Sequence, residues 1–270
     1  MNRLCLDFLT AADVSLAELA ALAAANDCDL ISVKLHGAIV RPIDPRLLED
    51  SAERRHLKAT CDALGVKIDM LESFSITPEV DLETFRPAMA TGAWLGARSA
   101  NIQVREDEPQ RMLDRFAAAC AMAADYGMQV YTEMSRRMAL KTVAEGVRFL
   151  KQASIPNAQL MIDTLHFFRF DQAPETAAEG EGFLGRVQLC DGPPDMALAE
   201  QLNEALHERL PPGEGALPLK AFLAAMPDDI VVGLEVPMRS QQERGVTPAD
   251  RVARVFKATR RLMAEVAAAR

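Results

Sequence analysis

The sequence predicts an α/β chain of the (β/α)₈ barrel class. Short apolar runs alternate with helical patterns eight times between the two ends. In the second half the runs finish on acids: Met128 to Glu133, Gln159 to Asp163, Arg186 to Asp191 and Ile230 to Glu235. No linker rich in Gly, Ser or Pro divides the 270 residues, so residues 1–270 are expected to form one domain. The main alternative is an open doubly wound sheet. Such sheets often carry G-x-G-x-x-G after the first strand to hold a dinucleotide, and that pattern is missing.

The elements follow in order. The first strand spans about Leu4 to Phe8, and a helix near Ser15 to Asn26 opens on Ser15 with Glu18 three residues on, the spacing of a capping box. Strand two is about Asp29 to Leu35. A helix from about Pro45 to Leu64 stops at Gly65, a residue suited to the left-handed position after a helix. Strand three covers about Lys67 to Leu71, with a helix near Leu82 to Leu95 stopped by Gly96. Strand four covers about Ser99 to Val104, with a long helix from about Glu108 to Tyr126. Strand five reaches Glu133 and precedes a helix near Ala139 to Ala153. Strand six reaches Asp163, and an irregular stretch with Phe167, Phe168 and Phe170 leads to strand seven, Arg186 to Cys190. A longer excursion holds a short helix near Met196 to Glu208 and the turn Pro211-Pro212-Gly213-Glu214-Gly215. A helix near Leu219 to Ala225, strand eight and a final helix, about Pro248 to Ala269, complete the chain.

Composition limits the function classes. A net charge of -9 argues against a nucleic-acid partner, whose affinity comes from neutralising phosphates. No apolar stretch is long enough to span a membrane, and the start lacks a signal-peptide core, so a soluble cytoplasmic protein is expected. The five cysteines lie far apart and form no C-x-x-C pair, which reads as reduced, buried thiols. Cys190, near a strand end, is expected to be a small apolar core residue rather than a soft ligand or nucleophile.

Parallel barrel strands bring their C-terminal ends to one face, where active sites of this architecture lie. That selects Glu133, Asp163, Gln188 and Glu235, with Asp7, His36, Glu72, Gln103, His166 and Asp191 flanking them. A single acid there reads as a helix cap or a rim charge. Three acids directly after buried runs repel one another unless a cation sits among them, and oxygen donors suit a hard divalent ion such as Mn²⁺, Mg²⁺ or Co²⁺ better than Zn²⁺. Glu72 reads equally as a pocket residue or a cap on nearby loop backbone. His36 carries the same ambiguity. Arg209, before the Pro-Pro-Gly-Glu-Gly turn, reads equally as a contact for a substrate carboxylate or phosphate and as a surface helix arginine, with Arg239 a second candidate. His56 and His207 fall in helices and are expected at the surface.

Tyr131-Thr132-Glu133, Asp163-Thr164-Leu165-His166, Val187-Gln188-Leu189-Cys190-Asp191, Pro212-Gly213-Glu214-Gly215 and Leu234-Glu235-Val236-Pro237 occur in the order and strand positions of a known family. The chain resembles the xylose isomerase-like TIM barrels over essentially its whole length. That group holds sugar (phosphate) isomerases and epimerases, inosose and 3-dehydroshikimate dehydratases, and the family 2 endonucleases of abasic DNA. The resemblance implies one divalent ion held by Glu133, Asp163, the strand-seven position Gln188 and Glu235. Gln188 stands where His is usual and departs from the family pattern. The resemblance further implies that His166 meets a substrate hydroxyl or supports a ligand, that Asp191 orients Gln188 or holds a hydroxyl unless it serves the Gly192 turn, and that the chain can form a homo-oligomer.

The expected activity is isomerisation or epimerisation of a sugar, sugar phosphate or keto-polyol through a metal-stabilised enediolate, with Glu133 and Glu235 as the acid–base pair. A dehydratase of the 3-dehydroshikimate or inosose type shares the first step and is the alternative. A sugar-binding barrel without catalysis is a further class. Hydrolysis of abasic DNA stands behind these, because those relatives use three metals and more histidines than the four present.

Overall fold

A computed structural model describes residues 3–170 and 172–269. Eight parallel strands close in sequence order into one barrel, β1 through β8 and back to β1. They are β1 (Arg3–Leu6), β2 (Leu30–Lys34), β3 (Lys67–Ile76), β4 (Ser99–Val104), β5 (Gln129–Glu133), β6 (Ala158–Asp163), β7 (Leu184–Leu189) and β8 (Val231–Leu234). The helices between and after them are α1 (Leu16–Ala24), α2 (Ala52–Leu64), α3 (Arg86–Leu95), α4 (Pro109–Asp125), α5 (Val143–Ala153), α6 (Thr164–Phe168), α7 (Gln201–His207), α8 (Leu219–Ala224), α9 (Arg239–Glu243) and α10 (Pro248–Ala269). Outward-facing strand residues such as Ile31, Val33, Val130, Leu160, Val187 and Val232 are buried against these helices in one apolar core.

Local signals set the helix ends. Ser15 and Glu18 form the expected capping box at α1, and Gly65 follows α2 at φ 67°. Other boundaries differ from expectation for readable reasons. The stretch from Pro45 splits into a 3₁₀ turn, Pro45–Leu48, and α2, because Asp44 caps the first and Ser51 the second. Helix α5 starts only at Val143, where Thr142 accepts from the Glu145 N–H. The strand expected to stop at Leu71 runs on to Ile76, and its register with β4 shifts between Leu71 and Phe74. Glu72 therefore sits inside β3 rather than at its end.

Alternation along the strands sends polar side chains into the barrel. Asp163 pairs in register with Gln188, and Gln188 with Gly233. Lower in the interior, Arg186 is fully buried between two acids. It donates to Asp7 at 2.7 Å and also to Asp69. A buried charge is tolerated only when paired and hydrogen-bonded. Gly233 leaves room for this cluster, since a Cβ there would collide with the Asp7 carboxylate and crowd the Arg186 guanidinium.

Gly233→Ala is therefore expected to lower unfolding free energy by about 2–4 kcal/mol, through overpacking and displacement of the Asp7–Arg186 pair. Urea denaturation of the variant and of wild type measures it, and an unchanged midpoint would contradict the packing argument.

Candidate active site

The C-terminal mouth of the barrel holds a cavity of about 190 Å³ lined from several strands and loops. Lys34 from β2, Glu72 from β3, Asn101 and Gln103 from β4, Glu133 from β5, Gln188 from β7 and Glu235 just after β8 all face it, with His166 from α6 and Arg209 from the loop after α7. Asp163, at the end of β6, is buried beside Arg209.

Arg209 organises one side. Its Nη1 donates to Asp163 Oδ2 at 2.6 Å, its Nη2 lies 2.9 Å from Glu235 Oε2, and its Nε donates to the Ala205 carbonyl at 2.8 Å. Arg209 is thus no surface arginine but a buried cation holding two carboxyl groups of the site. The two acids respond differently. Burial raises the Asp163 carboxyl, but Arg209, His166 and the backbone N–H groups of Leu165 and His166 outweigh burial and hold it below its ordinary value. Burial raises the Glu235 carboxyl well above its ordinary value; Arg209 opposes this, while the charges of Glu72, Asp163 and Asp7 reinforce it.

Across the cavity, Ser32 donates to Glu72 Oε1 at 2.7 Å, and Gln188 Nε2 donates to Asp7 at 3.0 Å and to Glu72 at 3.3 Å. Burial, followed by the Asp7 charge, pushes the Glu72 carboxyl up to about 7. Lys34 is buried nearby, and desolvation lowers its ammonium pKa against the pull of Glu72 and Glu235. On the β4–β5 side, Gln103 Nε2 donates to Glu133 Oε2 at 2.9 Å, and His166 Nε2 stands 3.4 Å from Glu133 Oε1.

The donor set for a divalent ion is narrower than the four residues expected. Among the described residues, Glu133, Asp163 and His166 offer ligand atoms that all lie within 4.8 Å of one another. Two carboxylates and an imidazole fit such an ion in reach and in chemistry. Glu235 lies outside that group, although it shares Arg209 with Asp163. Gln188 turns its amide nitrogen toward Asp7 and Glu72.

Two expected substrate contacts have other work. His36 is not among the residues lining the cavity; its ring stacks on Phe74 at 5.3 Å and meets Phe85 edge-on at 4.9 Å. Asp191 is a loop clamp. One oxygen accepts from Gly192 and Leu217 and the other from Gly213 and Gly215, at 2.8–3.0 Å. Those four backbone donors fix the Pro-Pro-Gly-Glu-Gly turn and leave the carboxylate little capacity for a substrate hydroxyl. Arg239 is exposed at the start of α9 and lines a different cavity, while Cys190 is buried, with its thiol pushed by burial up to about 12. His56 is exposed and His207 half-buried.

The sequence reading missed Lys34, Arg186 and the two rim arginines Arg105 and Arg137. For Lys34 a signal existed. It lies two residues after Ser32 in an otherwise apolar strand, so the two share the inward face.

With this geometry in view, comparison with known proteins gives a consistent result. A family model described as xylose isomerase-like TIM barrel matches residues 20–262. The chain belongs to the xylose isomerase-like TIM barrels. No curated protein matches the sequence. Among solved structures, this xylose isomerase-like barrel is similar to the IOLI protein with a binding zinc atom, at 18% identity and TM-score 0.81, covering 98% of this chain and 99% of that one. It is similar to the probable 3-DHS dehydratase AsbF of Bacillus anthracis, at 14% identity and TM-score 0.78, covering 96% and 98%. It is also similar to a D-allulose 3-epimerase of Methylomonas sp. in complex with D-allulose, at 16% identity and TM-score 0.71, covering 96% of each chain. At these identities the likeness is one of fold. Among the described residues no helix is long and apolar enough to cross a membrane.

Two outcomes are expected from the site's charges. Arg209→Met strands Asp163 and Glu235 without their cation and should cost about 3–5 kcal/mol at pH 8. The deficit should shrink toward pH 5 as the stranded carboxyls take up protons, and urea unfolding at the two values reads it. Glu72 gives a second pH dependence. Its carboxyl rises from an ordinary 4.5 to about 7 in the folded chain. Its contribution is therefore complete below 4.5 and lost as pH climbs through about 7, since the unfolded chain gives up the proton first. Glu72→Gln keeps the acceptor for Ser32 and removes the titration. Its stability relative to wild type should rise between pH 5 and pH 8, and a constant difference would contradict the shift.

Proposed function

We propose that this barrel is an isomerase or epimerase of a small keto-sugar or polyol, working by proton transfer at a carbon next to a carbonyl. The observation that carries this reading is the placement of Glu133 and Glu235. They are two buried carboxyls, from β5 and from the end of β8, lining one small cavity at the strand ends. Strands five and eight stand apart around the ring, so the two carboxyls approach a bound molecule from different sides.

The two carboxyls have different surroundings. Gln103 holds one oxygen of Glu133 and leaves the other toward His166, which orients the group as a base. Burial raises the Glu235 carboxyl well above its ordinary value, a direction that favours a proton donor. Proton removal beside a carbonyl leaves an enediolate, and Lys34 and Arg209 supply positive N–H donors facing the cavity where that charge develops. Arg209 also keeps Asp163 and Glu235 in place. Phe8, Leu9 and Leu206 form part of an apolar wall of the cavity.

A divalent ion on Glu133, Asp163 and His166 would supply Lewis-acid polarisation of a substrate carbonyl. With an imidazole among the donors, zinc is as acceptable there as manganese, magnesium or cobalt.

Glu133→Gln and Glu235→Gln are each expected to lower solvent deuterium exchange into D-fructose or D-allulose by about 10²-fold or more. Proton NMR reads the exchange. Wild-type exchange in either variant would remove that residue from the acid–base pair. The likeness to the 3-DHS dehydratase fold keeps elimination as the second reading, and a product absorbing in the ultraviolet as a conjugated enone or aromatic would select it.

A further inference from the structure

Acids outnumber bases in this chain, 39 to 30, and the buried arginines of the barrel are matched with them. Arg186 meets Asp7 and Asp69, Arg209 meets Asp163 and Glu235, Arg169 meets Glu204, and Arg251 meets Asp13. Two arginines on the rim of the cavity break the pattern. Arg105, one residue past β4, is half-buried, and among the described residues its guanidinium makes one hydrogen bond, from Nη2 to Gln103 Oε1 at 3.2 Å. Its Nε is buried with no hydrogen-bond partner among the described residues, as are the Nε atoms of Arg54, Arg115 and Arg186, but of these only Arg105 lines this cavity. Arg137, in the loop after β5, is exposed and has no ion-pair partner among the described residues. Both line the same cavity as Glu133.

Their mutual effect is repulsive. Burial lowers the Arg105 pKa most, the Arg137 charge lowers it further, and Glu133, the one acid acting in the opposite sense, counts for less than either. A buried guanidinium nitrogen with no acceptor costs free energy, and so does a second cation next to it. An oxyanion between them would remove both costs. The planar guanidinium has the fork geometry that carboxylate and phosphate oxygens match.

We propose that Arg105 and Arg137 form an oxyanion subsite at the cavity rim, and that the substrate is an anionic sugar derivative whose carboxylate or phosphate binds there. This names the substrate class and rests on the isomerase or epimerase reading. The subsite is linked to the acid–base centre through one side chain, because Gln103 accepts from Arg105 and donates to Glu133. A substrate held by its anion at Arg105 and Arg137 would extend its carbonyl end toward Glu133 and Glu235.

Isothermal titration calorimetry at low ionic strength tests the subsite without turnover. The probes are inorganic phosphate and glycolate, titrated into wild type, Arg105→Gln, Arg137→Gln and the double variant, with Arg136→Gln as an exposed control outside this cavity. Expected is saturable one-to-one binding of at least one probe, weakened tenfold or more in the double variant and unchanged in the control. Phosphate preferred over glycolate assigns a phosphorylated substrate, and the reverse assigns a sugar acid. No saturable binding of either probe, or equal binding in the double variant, overturns the proposal. Arg137→Gln alters an exposed side chain, so its result does not depend on tolerance of a buried change. Anion binding with no proton exchange on any sugar would keep this subsite and remove the isomerase reading, while exchange on neutral sugars without anion binding would do the opposite.

Discussion

The interior of this barrel is organised by the need to neutralise carboxylates that the fold itself crowds together. Closing eight parallel strands brings their inward side chains into one narrow column, and in this chain that column is rich in acids. Asp7, Glu72, Glu133, Asp163 and Glu235 are buried on β3, β5 and β6 or just past β1 and β8, with Asp69 of β3 partly buried beside Arg186, and water cannot screen buried charges well. Three cations answer them. Arg186 sits between Asp7 and Asp69, Arg209 between Asp163 and Glu235, and Lys34 faces Glu72 and Glu235. What remains unbalanced is also informative. Glu72 holds its proton up to about pH 7, and Glu133, Asp163 and His166 converge as a site for one more positive charge.

The acids were legible in the sequence and their partners were not. Glu133, Asp163 and Glu235 end apolar runs, and parallel strands in a barrel deliver such ends to one face. Arg209 stood out beside a Gly-rich turn, yet its target did not, because Asp163 lies 46 positions earlier in the chain. Arg186 and Asp7 are 179 positions apart. No local spacing encodes such a pair; only closure of the barrel makes it. His36 illustrates the converse. Its position after β2 suggested the cavity, but two phenylalanines supply a stacking surface that a lone position cannot reveal. Asp191 was ambiguous for a related reason, since the four amides it grips belong to residues up to 26 positions downstream.

Arg209 also changes how the xylose isomerase-like pattern reads in this chain. The resemblance placed a metal among four strand-end residues. Here one side of that group is spanned by a guanidinium, and the strand-seven residue is an amide that gives its hydrogens to Asp7 and Glu72. The positions that can receive an ion have shifted toward β5, β6 and α6, where an imidazole stands. A guanidinium is a fixed charge that neither dissociates nor exchanges ligands.

The Asp191 clamp has a consequence for traffic through the barrel mouth. Its carboxylate fastens the amides of Gly192, Gly213, Gly215 and Leu217, and its backbone pairs with Leu210, the neighbour of Arg209. Swinging that turn outward would break all these bonds together and drag a buried guanidinium away from two carboxylates. The β7 flank thus behaves as a doorpost rather than a door, and molecules must come and go without its help.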